Sequence, residues 1–223
     1  MTTVSEHQFR RSSSSSSHGS DRLSISICEV MQKDYGLYVW PCSIVLAEYV
    51  WQNWEQFHGA FVLELGAGTA LPGIVAAKVG ALVILTDSDD QPHVLENMKR
   101  TCNLNQVECV IQGLTWGQWD ATSFTLRRPS QIILGADVLY ESRDFDDLFA
   151  TVKFLLQDME DSVFITTYQR RSGHRSMEYL MAKWGLQCTR LIDALEILPT
   201  SKRSLVNGAS IELVEIKLRK MMS

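Results

Sequence analysis

A short stretch of this sequence combines glycines and carboxylates in the spacing of a nucleotide-binding loop. Gly66 and Gly68 follow an apolar segment that ends at Glu64, and Asp87 ends the next apolar segment, 23 positions later (87 − 64 = 23). Glycines let the backbone turn sharply and approach a ligand, and a carboxylate after the next strand can accept both hydroxyls of a ribose. A lone GxG would indicate only a tight turn. The series of strand, acid, GxG, helix, strand and acid instead predicts a site for a nucleoside cofactor.

The type of cofactor follows from where this loop departs from the dinucleotide fingerprint GxGxxG. Leu71 stands at the third glycine position, and the next glycine is Gly73. Glu64, just before the turn, would repel a pyrophosphate placed at a helix N-terminus, but it suits a ligand that carries an ammonium and a sulfonium group. We therefore predict S-adenosylmethionine as the cofactor. The alternative, an NAD-dependent oxidoreductase, is disfavoured on the same grounds.

A second group of reactive side chains closes a later apolar segment, in the run Asp137-Val138-Leu139-Tyr140. A lysine amine, with a reference pKa of about 10.4, must lose a proton before it attacks a methyl group. Asp137 can hold and orient such a cationic side chain while water removes the proton, and Tyr140 would narrow the channel and exclude solvent. The alternative is that Asp137 caps the following helix, a role for which Asp144 is better placed.

These residues are positioned by alternating strands and helices. Apolar strand-like segments occupy 60–65, 82–87, 107–114, 130–140 and 162–169, and helical spacing occupies 43–54, 71–80, 92–105, 144–157 and 176–185. Two further β segments, 187–198 and 209–220, are joined by a polar turn. Near-continuous apolar strands separated by helices indicate a mostly parallel sheet covered on both faces. The chain is therefore predicted to be an α/β protein whose sheet closes with a C-terminal antiparallel hairpin.

Composition indicates one ordinary domain. The chain has 223 residues, 45% hydrophobic and 21% charged, with a mean hydropathy of −0.05, which excludes a fibrous or largely disordered protein. No apolar run approaches the roughly 20 residues that cross a bilayer, and the polar N-terminal stretch lacks a secretion signal. We expect a cytoplasmic and nuclear protein. The five cysteines are scattered without ligand spacing, which predicts neither disulfides nor a metal site.

The distribution of polar residues predicts the domain boundaries and the type of partner. Residues 1–20, with a serine run at 12–17, have almost no apolar side chains and are expected to form a disordered tail before a catalytic domain at 21–223. Lys and Arg total 21 against 26 Asp and Glu, a net charge of −5. This balance argues against direct nucleic-acid binding and suits a basic protein partner. The acidic clusters themselves can equally be solvated helix starts.

Five stretches of the chain resemble one enzyme family. They are YGLYVWPCSIVLAEYV (35–50), ELGAGTALPGIVAAKVGA (64–81), TDSDDQPHVLENMKRTCNLN (86–105), LTWG (114–117) and ILGADVLYE (133–141). They resemble the seven-β-strand, Rossmann-like S-adenosylmethionine-dependent methyltransferases and, within them, the lysine methyltransferase family also called methyltransferase family 16. The resemblance implies a seven-stranded Rossmann-like sheet with helices on both faces.

The resemblance also implies which residues form the site. The implied cofactor-binding residues are Trp40, Glu64, Gly66, Ala67, Gly68, Asp87, Ser88, Trp116 and Ala136, and the implied catalytic residues are Asp137 and Tyr140. An indole at position 116 can cover an adenine face. The alternative for Trp116 is an ordinary core tryptophan.

The activity implied is protein N-methylation, and its acceptor stays open. The family points to lysine, whereas the branch that this sequence resembles most is associated with histone arginine methylation. The expected partner is a basic protein substrate, either a histone or a chaperone-associated protein, with no nucleic acid or membrane and with a monomeric enzyme. The alternative function is a catalytically silent adaptor that binds S-adenosylmethionine, because fold alone does not determine activity.

Overall fold

The computed structural model describes residues 2–11, 21–30, 37–127, 131–157, 161–170, 177–206 and 208–220 of the chain. Its elements in chain order are β1 (Thr2–Arg10), β2 (Arg22–Val30), α1 (Pro41–Gln52), α2 (Trp54–Phe57), β3 (Phe61–Glu64), α3 (Leu71–Lys78), β4 (Leu82–Asp87), α4 (Pro92–Asn105), β5 (Val110–Gly113), α5 (Ala121–Arg127), β6 (Ile132–Ala136), α6 (Phe145–Leu156), β7 (Val163–Gln169), α7 (Met177–Lys183), β8 (Leu186–Asp193), α8 (Ala194–Ile197), a 3-10 helix (Thr200–Val206) and β9 (Ile211–Leu218).

Seven of the strands form one sheet in the order β5-β4-β3-β6-β7-β9-β8. The strands from β5 to β7 in this order are parallel, whereas β9 runs antiparallel to both β7 and β8. The predicted mostly parallel sheet with a C-terminal antiparallel hairpin is thus confirmed. The chain order of the strands reverses between β3 and β6, and open α/β sheets bind their ligands at such a reversal.

The central strands are buried on both faces, as their apolar runs predict. Val62 and Leu134 point into a core that also contains side chains of α1, α3 and α4. Their neighbours Leu63 and Ile133 point into the opposite core, which contains side chains of α5, α6 and α7. The alternation follows from the two-residue period of a strand, and it places helices on both faces of the sheet.

The C-terminal segment contains more helix than the sequence pattern predicts. The predicted β segment 187–198 ends as a strand at Asp193 and continues as α8. Asp193 Oδ1 accepts the amide of Leu195 at 2.8 Å, and Glu196 reaches back to the amide of Asp193. This reciprocal capping box starts a helix inside an apolar segment. The polar turn after it forms the 3-10 helix.

Helix α5 was not predicted either. Asp120 precedes it, and the Asp120 carboxylate accepts the amide of Ser123 at 2.9 Å. The Ser123 hydroxyl in turn donates to the carbonyl of Gln118 at 3.0 Å. Local side-chain hydrogen bonds of this kind start a short helix without a strong apolar period.

The expectation of a disordered tail over residues 1–20 is wrong for Thr2–Arg10. This segment is strand β1, which pairs antiparallel with β2 along its whole length. Phe9 is only 1% exposed, and its ring lies 6.5 Å from that of Trp51 in α1. The guanidinium of Arg11 lies 4.1 Å from the same indole. A single buried aromatic side chain and a partner strand therefore order a segment that is otherwise polar. The serine run at 12–17 lies outside the described residues.

Within the described ranges, no helix is both long enough and apolar enough to span a bilayer. The same ranges contain no group of three or more histidine, cysteine or acidic side chains arranged to hold a metal ion. The five cysteines are all free thiols.

The role of Phe9 can be tested against an exposed residue of the same strand. We expect Phe9→Ala to lower the free energy of unfolding by about 3–5 kcal/mol, because it empties a closed aromatic contact. Val4 is 60% exposed, and Val4→Ala should change stability by less than about 0.5 kcal/mol. Urea unfolding followed by circular dichroism measures both. Equal stability of the two variants would show that β1 does not contribute to the fold.

Candidate active site

The candidate site is a cavity of about 760 Å³ at the carboxyl ends of β3, β4 and β6. Its volume lies within the range of small-molecule sites, roughly 300–1,000 Å³. Every site residue expected from the sequence except Glu64 lines it, namely Trp40, Gly66, Ala67, Gly68, Asp87, Ser88, Trp116, Ala136, Asp137 and Tyr140. The cavity lies where the strand order reverses, so that the loops after β3 and β6 diverge and leave space between them.

The glycine loop needs its glycines for two separate reasons. Gly66 and Gly68 both adopt positive φ angles, +56° and +53°, a region that side chains with a Cβ rarely enter. A Cβ atom on Gly66 would also come within 3.0 Å of Val138 and 3.1 Å of Trp116. The loop can therefore pass beneath the indole only because residue 66 has no side chain.

Asp87 joins the loop after β3 to the loop after β4. Its Oδ2 atom accepts the amide of Gly68 at 2.9 Å, and its Oδ1 atom accepts the amide of Ser88 at 2.9 Å. Burial raises the pKa of this carboxyl group, and the two amides act in the opposite direction. Each carboxylate oxygen has a further lone pair, so Asp87 can still accept hydroxyl groups from a ligand in the cavity.

The structure corrects the expected role of Glu64. This side chain is 1% exposed, and its Oε2 atom accepts the amide of Gly73 in α3 at 2.8 Å. A Cβ atom on Gly73 would lie 2.4 Å from the same oxygen. Because Gly73 has no side chain, the first turn of α3 lies directly against Glu64. The Glu64 carboxyl group therefore accepts a helix-terminal amide instead of facing a ligand.

The buried position of Glu64 also changes its protonation. Burial raises its pKa to about 8, and the nearby Asp87 carboxylate adds to the shift, whereas the Gly73 amide opposes it. A carboxyl group with this pKa is largely protonated at neutral pH. Protonation of Glu64 therefore weakens its electrostatic attraction to a cationic ligand, which the sequence pattern had suggested.

Aromatic side chains form two parts of the cavity wall. The ring of Trp116 lines the cavity and also packs against the core beside α6, so this side chain faces both the cavity and the core. Gly117, which follows it, adopts a φ of +74° and donates its amide to the Thr151 hydroxyl at 3.0 Å. On the other side, Trp40 lines the cavity with Tyr38, and their ring centroids lie 5.2 Å apart in an edge-to-face contact.

Asp137 lies at the end of β6 in a left-handed conformation, with a φ of +55°. Its amide donates to the carbonyl of Thr167 at 2.8 Å, which fixes the backbone where the strand ends. Asp144, not Asp137, precedes the first turn of α6, although the Asp144 side chain makes no capping hydrogen bond. The position of Asp137 in the cavity thus excludes the alternative of a cap for this helix.

The cavity around Asp137 carries several further charged groups. Asp144 and Asp147 line it with Arg143, and the guanidinium of Arg143 lies 3.5 Å from a carboxylate oxygen of Asp144. Tyr140 is 44% exposed. Burial raises the pKa of its hydroxyl, and the negative charge of Asp87 acts in the same direction.

Several lining residues were missed by the sequence analysis. They are Tyr38, Ser43, Thr69, Gln91, Leu114, Thr115, Gly117, Gln118, Val138, Arg143, Asp144 and Asp147. Most of them are direct neighbours of predicted residues in the chain. Asp144 and Asp147 were predictable as acidic residues near a helix start, but only the fold shows that this helix start faces the cavity.

Comparison with known proteins identifies relatives of the whole central region. The family model described as lysine methyltransferase matches residues 19–183. The histone-arginine methyltransferase METTL23 of Xenopus laevis is 47% identical over 171 residues, which cover 76% of this chain and 73% of that protein. Human METTL23 is 43% identical over 158 residues, or 70% and 82% of the two chains. The mouse protein N-lysine methyltransferase METTL21A is 37% identical over 150 residues, or 62% and 65%.

Solved structures of low sequence identity share the fold. An S-adenosylmethionine-dependent methyltransferase from Clostridium acetobutylicum superimposes with a TM-score of 0.56 at 11% identity, covering 81% of this chain and 92% of that one. The magnesium protoporphyrin IX methyltransferase of Synechocystis, solved with S-adenosylhomocysteine, superimposes with a TM-score of 0.55 at 14% identity, covering 80% and 82%. Both have the Rossmann-like sheet described above.

The protonation of Glu64 has a measurable consequence for stability. Because its folded pKa is raised above the usual carboxyl value, the folded state holds a proton that the unfolded state releases, and stability falls as the pH rises from about 5 to about 8. Glu64→Gln is uncharged at every pH and keeps an oxygen acceptor for the Gly73 amide. We therefore expect this variant to lack the pH-dependent decrease in the free energy of unfolding, which in the wild type is on the order of 1–3 kcal/mol. Urea unfolding at about pH 6 and about pH 9 measures the difference.

The control for this experiment is Glu96→Gln, which changes an exposed carboxylate on α4 that pairs with Lys99. The control should keep the wild-type dependence of the free energy of unfolding on pH. If Glu64→Gln also keeps this dependence, Glu64 is ionised in the folded protein and its raised pKa is contradicted.

Proposed function

The chain belongs to the lysine methyltransferase family, a family of S-adenosylmethionine-dependent methyltransferases, and from that membership we propose that it methylates a side-chain nitrogen of a basic protein substrate. The observation that carries the proposal is the pairing, in one cavity, of a nucleoside-type subsite around Asp87 with a second group of carboxylates around Asp137. The first suits the cofactor and the second suits a cationic acceptor.

The residues around Asp87 fit S-adenosylmethionine chemically. Asp87 has free lone pairs for ribose hydroxyls, the indole of Trp116 offers a flat face for adenine, and the loop that contains Gly66 leaves room for the amino-acid part. Ser88 and Gln91 add polar side chains to the same wall. When bound, the cofactor supplies an electrophilic methyl group on a sulfonium.

The second group of residues acts on the acceptor. The carboxylates of Asp137, Asp144 and Asp147 favour a positively charged side chain, and only one cation, Arg143, stands among the residues that line the described cavity. We propose that Asp137 accepts a hydrogen bond from the attacking nitrogen and so orients its lone pair toward the methyl group, while the proton of that nitrogen leaves to water. The bond between sulfur and the methyl group would break as the bond to nitrogen forms, and S-adenosylhomocysteine would be the leaving group. Tyr140 covers this end of the cavity and limits the access of bulk water.

Among basic side chains we propose arginine, carried by a histone, as the acceptor. Relatives that are 43–47% identical are named histone-arginine methyltransferases, whereas relatives named protein N-lysine methyltransferases are 34–37% identical. A planar guanidinium can donate to two carboxylates at once. Asp137 and Asp147 of α6 offer such a pair. Lysine remains the alternative acceptor that the experiment below distinguishes.

Partners and location follow from this proposal. A histone substrate is strongly basic, which agrees with the net charge of −5 of this chain. We propose that the enzyme acts as a monomer, without binding nucleic acid directly, in the nucleus and in the cytoplasm.

Binding measurements test the proposed cofactor subsite. Isothermal titration calorimetry should show binding of S-adenosylmethionine and S-adenosylhomocysteine but not of NAD. Asp87→Ala should weaken binding by about 1.5–3 kcal/mol, because it removes a charge-assisted acceptor and releases the amides of Gly68 and Ser88. The control Asp90→Ala, an exposed carboxylate three residues away, should bind like the wild type. Comparable binding of NAD would contradict the cofactor assignment.

Methyl-transfer measurements test the proposed acceptor subsite. Asp137→Asn should keep cofactor affinity within a few fold but reduce methyl transfer to purified core histones by roughly 10²-fold. Asparagine tolerates the left-handed backbone of residue 137, so the change removes charge without adding strain. Tyr140→Phe should lose less activity than Tyr140→Ala if packing matters more than the hydroxyl.

Radiolabelled methyl transfer followed by mass spectrometry of the modified residue separates the possible outcomes. Methylarginine supports the proposed acceptor, and methyllysine replaces it with lysine. Equal rates for the wild type and Asp137→Asn would remove Asp137 from catalysis, whereas a parallel loss of cofactor binding would move it to the cofactor subsite. A wild type that binds the cofactor but modifies no protein of a hypomethylated proteome would favour the silent adaptor.

A further inference from the structure

The segment that precedes α1 alternates between the core and the cavity. Leu37 and Val39 are buried, at 3% and 5% exposure. Tyr38 is 55% exposed, Trp40 is half-buried, and both line the cavity. Exposure alternates along these four residues, the first two of which lie in a 3-10 turn and a bend. A shift of one residue would turn the aromatic rings into the core and the aliphatic side chains toward the ligand, so the register of this segment, meaning which of its residues face the core, determines the wall of the site.

A side chain from the N-terminal hairpin holds this register. Glu29, the second-last residue of β2, accepts the amide of Val39 on its Oε2 atom at 3.0 Å. The bond joins a carboxylate to a main-chain amide, a type of hydrogen bond that is stronger than one between neutral groups. Val39 lies between the two aromatic residues in the chain, so fixing its amide fixes the direction in which both of them point.

The strand that carries Glu29 is itself attached to the body of the protein. Asn105 of α4 both accepts the amide of Ser26 at 2.9 Å and donates to its carbonyl at 2.6 Å. Asn97 of the same helix donates to the carbonyl of Cys28 at 2.9 Å. Helix α4 begins directly after the loop that contains Ser88 and Gln91. The hairpin therefore connects the cavity wall before α1 with the cavity wall before α4.

We infer that Glu29 is a positioning residue for the cofactor site, acting through the amide of Val39 on Tyr38 and Trp40. Glu29 is not among the residues that line the described cavity, and its effect is on the orientation of those that do. The inference rests on the proposed function only for the identity of the ligand. The held register is a property of the protein itself and can be measured without any ligand.

The test compares three substitutions in the full-length protein. Glu29→Ala should weaken binding of S-adenosylhomocysteine, measured by calorimetry, by about tenfold, equivalent to about 1.4 kcal/mol. Glu29→Gln keeps an oxygen acceptor for the Val39 amide and should stay within about threefold of the wild type. Glu6→Ala is the matched control, because it removes an equal charge from the same hairpin at an exposed position, where the carboxylate accepts the hydroxyl of Ser24 across the strands.

Hydrogen exchange of the unliganded protein provides a second, ligand-independent measurement. Glu29→Ala should accelerate exchange at the Val39 amide about tenfold or more, whereas Glu29→Gln and Glu6→Ala should leave it close to the wild-type rate. If Glu29→Ala does not fold, Glu29→Asp, which is one methylene shorter and keeps the charge, takes its place and should show the same two effects.

The outcomes are distinguishable. A loss of affinity together with faster exchange at Val39, both rescued by glutamine, supports the inference. Wild-type affinity and wild-type exchange in Glu29→Ala overturn it, as does an equal loss of affinity in Glu6→Ala. If the wild type does not bind S-adenosylhomocysteine, the cofactor assignment fails, and the exchange rate at Val39 alone still supports or overturns the role of Glu29 in holding the segment.

Discussion

The two amide hydrogen bonds of Asp87 are the contact on which the geometry of the site depends. One carboxylate joins Gly68, after β3, to Ser88, after β4, and so fixes two neighbouring loops at the point where the strand order reverses. With these loops fixed, the left-handed turn at Gly66 passes beneath the indole of Trp116, which packs against the glycine loop. A cavity of this kind forms only at the reversal, because elsewhere in the sheet successive loops lie side by side and close the space.

Carboxyl groups at three places in the site have three different environments, and the environment determines what each can do. Glu64 lies beneath α3, away from water, where the cost of burying a charge favours its protonated form. Asp87 is held by two amides and keeps acceptor capacity toward the cavity. Asp137 stands with the carboxylates of α6 on the cavity wall, where a cationic partner lowers their mutual repulsion. Identical functional groups thus serve structure at Glu64 and, under the proposed function, cofactor binding at Asp87 and acceptor binding at Asp137.

The N-terminal hairpin belongs to the domain and not to a tail. Its outer strand is polar along most of its length, but Phe9 is buried against α1, and its inner strand bonds to α4 through asparagine side chains. These contacts connect the start of the chain to the two helices that flank the cavity. The composition of residues 1–20 did not predict this strand, because composition averages over the whole segment. One buried ring and a partner strand determine whether the segment is ordered.

The sequence was sufficient to predict the alternation of strands and helices, the glycine loop and the acidic residue 23 positions after Glu64, because each depends on local backbone preference and hydrophobic period. It also predicted ten of the residues that line the cavity. It assigned Glu64 to the ligand and missed Tyr38 and the acidic residues of α6. These points depend on packing between distant parts of the chain, because the direction of a side chain at a strand end depends on what packs against it. Gly73 brings a helix amide onto Glu64, and the fold turns the start of α6 toward Asp137.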